Sequence, residues 1–179
     1  NAIETRQGYL GTIEFFPEEG KYHYDGHRAC SVSLSPEETI QHGYLCPKCG
    51  RRVTVGVLHR AEKLADRPLG YKPDNAYPYF SLIPLAEVIS ETLGIGVTSK
   101  AVEMEYQRLI NGLGNEFSIL MDAPITEITQ TSSQLIGEAI NRMRSGNIHV
   151  APGYDGEYGK VKIFELAERK EVKGQATLF

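Results

Sequence analysis

Apolar and polar residues alternate over short stretches early in the chain and recur at helical spacing later. Thr12-Ile13-Glu14-Phe15-Phe16 stops at Pro17, and the turn-like Glu18-Glu19-Gly20 leads into Lys21-Tyr22-His23-Tyr24, which predicts a β-hairpin. Ser35 followed by Pro36, Glu37 and Glu38 supplies a capping hydroxyl, a proline at the first helical position and a glutamate three residues after the cap, so a short helix is expected to about Gly43. Residues 52–58 are rich in β-branched side chains and predict a strand, and 59–67 a basic helix.

Residues 68–78 are rich in proline and tyrosine and read as an irregular connector. Beyond it, Leu85, Val88, Ile89 and Leu93 form one apolar stripe after Pro84, and Val102, Tyr106, Leu109 and Ile110 a second after Ser99. A third, Leu135, Ile136, Ala139, Ile140 and Met143, runs between Thr131-Ser132-Ser133 and Gly146. Periodicity leaves 117–121 open between strand and helix, while 148–150 and 160–164 read as short strands. The expected fold class is α+β, a small β-rich metal-binding module followed by a mainly helical domain with short strands. The expected divisions are 1–67, a connector at 68–80, the helical domain at 81–166 and a tail at 167–179.

At 179 residues, net charge −4, 41% hydrophobic and 23% charged, the chain is neither collagen-like nor disordered. It has no apolar run of spanning length and no secretory leader pattern, so a cytoplasmic location is expected. Asn1-Ala2 reads as the remnant of a cleaved tag, which suggests a fragment of a longer protein.

The strongest chemical signal is His27-x-x-Cys30, fifteen residues, then Cys46-x-x-Cys49. Two-residue spacing aims both side chains of a knuckle at one ion, and two knuckles complete a tetrahedral site suited to structural Zn²⁺. His27 fits the fourth position by spacing, with His23 and Asp25 as near alternatives and His42 and His59 as distant ones. Four protein ligands leave no position for an activated water, so the zinc is expected to hold the fold.

Residues 48–72 carry an excess of five positive charges within an acidic chain, a footprint suited to phosphate backbones, and Arg28 can join the same face. Gly153-Tyr154-Asp155-Gly156-Glu157-Tyr158-Gly159-Lys160 pairs flexible backbone with two aromatic rings, a combination that suits stacking on a base or simply a turn. No P-loop, GxSxG, GxGxxG or clustered His/Asp hydrolase set stands in the sequence, and no catalytic residues are assigned.

The series from Gly11 to Arg28, with Cys30, Cys46-Pro47-Lys48-Cys49-Gly50, Gly56-Val57-Leu58-His59-Arg60, Ser81-Leu82-Ile83-Pro84-Leu85-Ala86-Glu87-Val88-Ile89 and Pro152 to Lys160, resembles the segment that follows the catalytic domain in the endonuclease Q family. The resemblance runs through nearly the whole chain. It implies a DNA repair nuclease whose PHP-type domain, with its catalytic divalent metals, nicks 5′ of deaminated bases (uracil, hypoxanthine, xanthine) or abasic sites. That domain is not found in this sequence, and the chain is expected to grip DNA around an extruded nucleotide without cutting it. Arg28, Arg60, Lys63 and Lys160 are the candidates for phosphate contacts, and Tyr24, Tyr154 and Tyr158 for filling the vacated stack.

Gln175-Ala176-Thr177-Leu178-Phe179 resembles the short peptide that binds the bacterial sliding clamp, in which Gln175, Leu178 and Phe179 would be the anchors. The competing reading is a zinc-ribbon-like adaptor for RNA or protein, without nuclease function.

Overall fold

The computed structural model describes residues 2–68, 70–165 and 167–169. They form two compact units, one holding the described residues to Ser81 with Val150–Lys160, the other holding Leu82–His149 with the described residues from Val161 onward. Helices and strands are mixed, with the cysteine-histidine cluster in the first unit and a helical domain after it. Among the described residues no helix is long and apolar enough to cross a membrane. The sequence places 150–160 with the helical module, yet in the structure they pack with the first unit because their backbone hydrogen-bonds to residues 18–24.

The first unit contains α1 (Ala2–Thr5), β1 (Thr12–Glu14), β2 (Asp25–His27), β3 (Val32–Leu34), α2 (Pro36–Gln41), α3 (Val57–Leu64) and β4 (Tyr79–Ser81). The expected hairpin across residues 12–24 does not form. Pro17 instead opens a 3₁₀ turn, Pro17–Glu19, and β1 pairs in parallel with β4, Thr12 opposite Tyr79 and Glu14 opposite Ser81. β2 and β3 make an antiparallel pair, Asp25 opposite Leu34. Residues 52–58 give only isolated bridges at Arg52 and Thr54, since the Gly56 N–H donates to Asp25 Oδ1 at 2.6 Å and the chain turns there into α3. α2 starts as expected, with Ser35 Oγ accepting from the Glu38 N–H at 3.2 Å and the Glu38 carboxylate accepting from the Ser35 N–H at 2.8 Å.

The buried apolar cluster of this unit is small: Val32, Leu34, Cys46 and Val53, with Cys30 against it. A core of that size contributes little hydrophobic stabilisation, so a metal or another cross-link would add substantially to it.

The second unit contains α4 (Leu85–Leu93), α5 (Lys100–Leu113), α6 (Ile125–Thr131) and α7 (Gln134–Ser145). The three predicted stripes are the buried faces: Leu85, Val88 and Ile89 on α4, Val102 and Leu109 on α5, and Leu135, Ile136, Ala139, Ile140 and Met143 on α7. Each fully buried aliphatic side chain is worth about 1.5–3 kcal/mol, so among the described residues this unit has a far larger hydrophobic core than the first. Ser133 caps α7 through the Ile136 N–H, and Gly146 closes it in the left-handed region at φ 70°.

The ambiguous stretch at 117–121 is a π-helical turn, Ser118–Asp122. Carbonyls of this turn and of Ala123 after it are taken by Arg144, whose guanidinium donates to Leu120 O at 2.9 Å, Ala123 O at 2.8 Å and Ile119 O at 2.7 Å. The chain leaves this unit and returns through β5 (His149–Ala151) and β6 (Lys160–Lys162), which pair with each other.

Candidate metal centre and nucleic-acid face

His27 closes β2, and Cys30 follows in a 3₁₀ turn, Arg28–Cys30, that ends at Ser31 in the left-handed region. Cys46 and Cys49 sit on a tight knuckle in which the Gly50 N–H donates to Cys46 O at 2.8 Å and the Cys46 N–H to Arg51 O at 2.7 Å. Gly50 has φ 69°, a conformation that glycine adopts without a Cβ penalty. The four donor atoms of His27, Cys30, Cys46 and Cys49 lie within 4.8 Å of one another, and Cys49 Sγ is 3.4 Å from His27 Nδ1.

Burial opposes ionisation of the Cys46 thiol, but the backbone N–H groups of Lys48 and Cys49 and the His27 side chain outweigh it and bring its pKa down to about 6. Cys30 goes the other way, to about 11, through its hydrogen bond with Cys49, burial, and the neighbouring sulfurs. The pocket thus favours one thiolate and resists a second, a conflict that a dication relieves by neutralising the sulfurs together. Three sulfurs and one imidazole nitrogen at this separation can hold a metal ion such as zinc, and that donor set is typical of closed structural sites.

Three of the alternative fourth ligands, Asp25, His59 and His23, have other partners. Asp25 is fully buried, and its Oδ2 lies 2.6 Å from His59 Nδ1 on α3 while Oδ1 accepts the Gly56 N–H. A carboxylate only accepts, so His59 presents Nδ1–H to it and turns Nε2 towards the Tyr44 hydroxyl at 3.2 Å. His23 stacks on Tyr24, ring centroids 5.6 Å apart. This Asp25–His59–Tyr44 chain ties β2, α3 and the segment ahead of Cys46 together. Its participants lie far apart in sequence, and Tyr44 carried no signal by which it could have been singled out.

Asp155 is also engaged, accepting from the Arg28 N–H and the Thr54 hydroxyl, each at 2.6 Å. Burial works against its charge, yet these two donors prevail and hold its carboxyl below the ordinary value.

The candidate DNA-contact residues divide by exposure. Arg28, Arg60, Lys63, Lys160 and Tyr158 are exposed, Arg60 and Lys63 both on α3, whereas Tyr24 and Tyr154 are half-buried and bridge each other. The ring of Tyr154 packs directly on Gly26, where any Cβ would collide with it. Gln175, Leu178 and Phe179 lie outside the described residues.

Residues 84–147 match the family of MJ0043 C-terminal domains. The chain is 39% identical over 147 residues to the uncharacterized protein MJ0043 of Methanocaldococcus jannaschii, and 29% identical over 147 residues to the uncharacterized protein YqxK of Bacillus subtilis. Each alignment takes in 82% of this chain, but only 18% of MJ0043 and 34% of YqxK. Among solved structures, the lesion-specific endonuclease PfuEndoQ from Pyrococcus furiosus matches with a TM-score of 0.76 and 33% identity, over 87% of this chain and 38% of that one. Endonuclease Q bound to a 27-mer duplex with an abasic lesion at its active site matches with a TM-score of 0.74 and 32% identity, over 93% of this chain and 42% of that one. The chain thus shares sequence and fold with about two-fifths of each solved endonuclease Q chain.

Proposed function

We propose that the chain is the DNA-gripping and lesion-recognition part of an endonuclease Q-like repair enzyme, which nicks 5′ of deaminated bases (uracil, hypoxanthine, xanthine) or abasic sites with a PHP-type catalytic domain supplied by residues outside this sequence. The observation that carries the proposal is the likeness to endonuclease Q over 87% of the chain at 33% identity. The abasic duplex held by the second matched structure adds a DNA partner of the same kind.

In this reading His27, Cys30, Cys46 and Cys49 would hold Zn²⁺, whose part is to cross-link the first unit. Arg28, Arg60, Lys63 and Lys160 hold phosphates, and Tyr158 stands ready beside the vacated stack with Tyr24 and Tyr154 framing its loop. A lesion has to leave the duplex to be read, and a mismatched base unpairs at lower cost than a paired one.

The test compares this chain, and the same chain joined to a PHP-type domain, on uracil-containing and undamaged duplexes at two salt concentrations. The expected result is salt-sensitive binding by both, with lesion preference and nicking confined to the longer protein. Absence of binding by either sinks the DNA reading and leaves a zinc adaptor in its place. The sliding-clamp partner is supported by residues 175–179 alone. Deleting them is expected to abolish capture on immobilised bacterial clamp, and undiminished capture removes that partner.

A further inference from the structure

Two tyrosines from distant parts of the chain share one cation in the first unit. Lys21 Nζ lies 5.7 Å from the ring centroid of Tyr22 and 5.7 Å from that of Tyr158. An ammonium at that distance is attracted to both rings and holds them on one face. Tyr22 is 45% exposed and Tyr158 72%, in contrast to the half-buried Tyr24 and Tyr154.

Backbone hydrogen bonds lock this arrangement. The Gly156 N–H donates to Lys21 O at 2.8 Å, the Gly153 N–H to Glu18 O at 2.8 Å, the Gly159 N–H to Glu19 O at 3.1 Å, and the Tyr24 N–H to Gly153 O at 2.8 Å. A Cβ at Gly159 would strike the Glu18 carbonyl, so the close approach of the two segments depends on glycine there. The Tyr22 hydroxyl and an Arg28 guanidinium nitrogen each lie 3.6 Å from where a Cβ on Gly156 would sit, which brings a second cation to the group. Of the acidic groups in the loop, Asp155 is turned onto Arg28 N–H and Thr54, and Glu157 is exposed.

Resting on the DNA reading above, we infer that Tyr22 and Tyr158, with Lys21 and Arg28, form a stacking site for unpaired nucleotides. A duplex keeps its base faces inside its own stack, so open rings flanked by cations suit a strand whose bases are already unstacked. Rings take the base faces, and cations take the phosphates. Tyr22 and Lys21 are the residues that this adds to the candidate DNA contacts.

The test titrates labelled oligothymidylate, and a duplex of the same length, with the chain and with Y22A/Y158A, Y22F/Y158F and Y158A variants. Loss of both rings is expected to weaken single-strand binding about tenfold or more, by more than it weakens duplex binding, and the phenylalanine variant stays near the original. The chain has ten tyrosines and no tryptophan, so stacking is also read as quenched tyrosine emission, reduced in Y22A/Y158A. Unchanged metal content and circular dichroism certify the double variant as folded, and Y158A, at the more exposed ring, decides if it is not. Single-strand affinity equal to that of the original chain overturns the stacking site while leaving the DNA reading intact. Failure of the original chain to bind either DNA at low salt defeats the DNA reading and this site with it.

Discussion

Cys46→Ala is expected to abolish metal binding and unfold the first unit while the helices of the second stay folded. Cys46 is at once a ligand candidate, the most deeply buried of the three cysteines and one of four members of that unit's small apolar cluster. Metal binding to a structural zinc site of this kind is worth about 10–16 kcal/mol in small peptides, against a total stability of about 5–15 kcal/mol for an ordinary domain. Losing it would therefore remove an amount comparable to the whole stability of such a unit. Hydrogen exchange with metal quantification checks this: protection should vanish from β2 to α3 and persist in α4, α5 and α7. Retained metal, or undiminished protection in β2 and β3, would contradict a structural role.

Asp25→Ala should cost the first unit about 1–3 kcal/mol for each of the two buried donors it leaves without an acceptor. The substitution strands the His59 Nδ1–H and orphans the Gly56 N–H at the start of α3, both of which Asp25 now accepts. The ring of His59 would then lose the orientation that sets it against Tyr44. Urea unfolding followed on signals from the first unit measures the cost. A loss below about 1 kcal/mol would mean that water or a rearranged side chain replaces the carboxylate.

Local chemistry made much of this molecule readable before any coordinates. The capping box at Ser35 and Glu38 and the stripes of α4, α5 and α7, with the last two beginning after Ser99 and Ser133, each lie within a few residues of chain and form as expected. The two knuckles were legible for the same reason, since each needs only two-residue spacing and a permissive turn. What was not legible depends on partners far away in sequence. β1 was assigned to the nearest strand-like segment, but its partner is β4, and residues 20–24 were already claimed by the 153–159 loop. Asp25 and His59 each looked like a spare metal ligand until their mutual hydrogen bond appeared. α6 escaped notice because only Ile128 of its seven residues is buried, too little for a stripe.

The return of Val150–Lys160 to the first unit also has a consequence for how the protein is made. Asp155, which joins Arg28 to Thr54, is translated after residues 82–149 of the other unit. At the usual elongation rate of ~5–20 residues per second, the nascent first unit waits several seconds on the ribosome for its last segment. A metal held by His27, Cys30, Cys46 and Cys49 would be the cross-link available to it during that interval, so metal supply at the moment of synthesis would set the yield of folded first unit, and a chain starved of metal then would meet proteases before its own closing loop arrives.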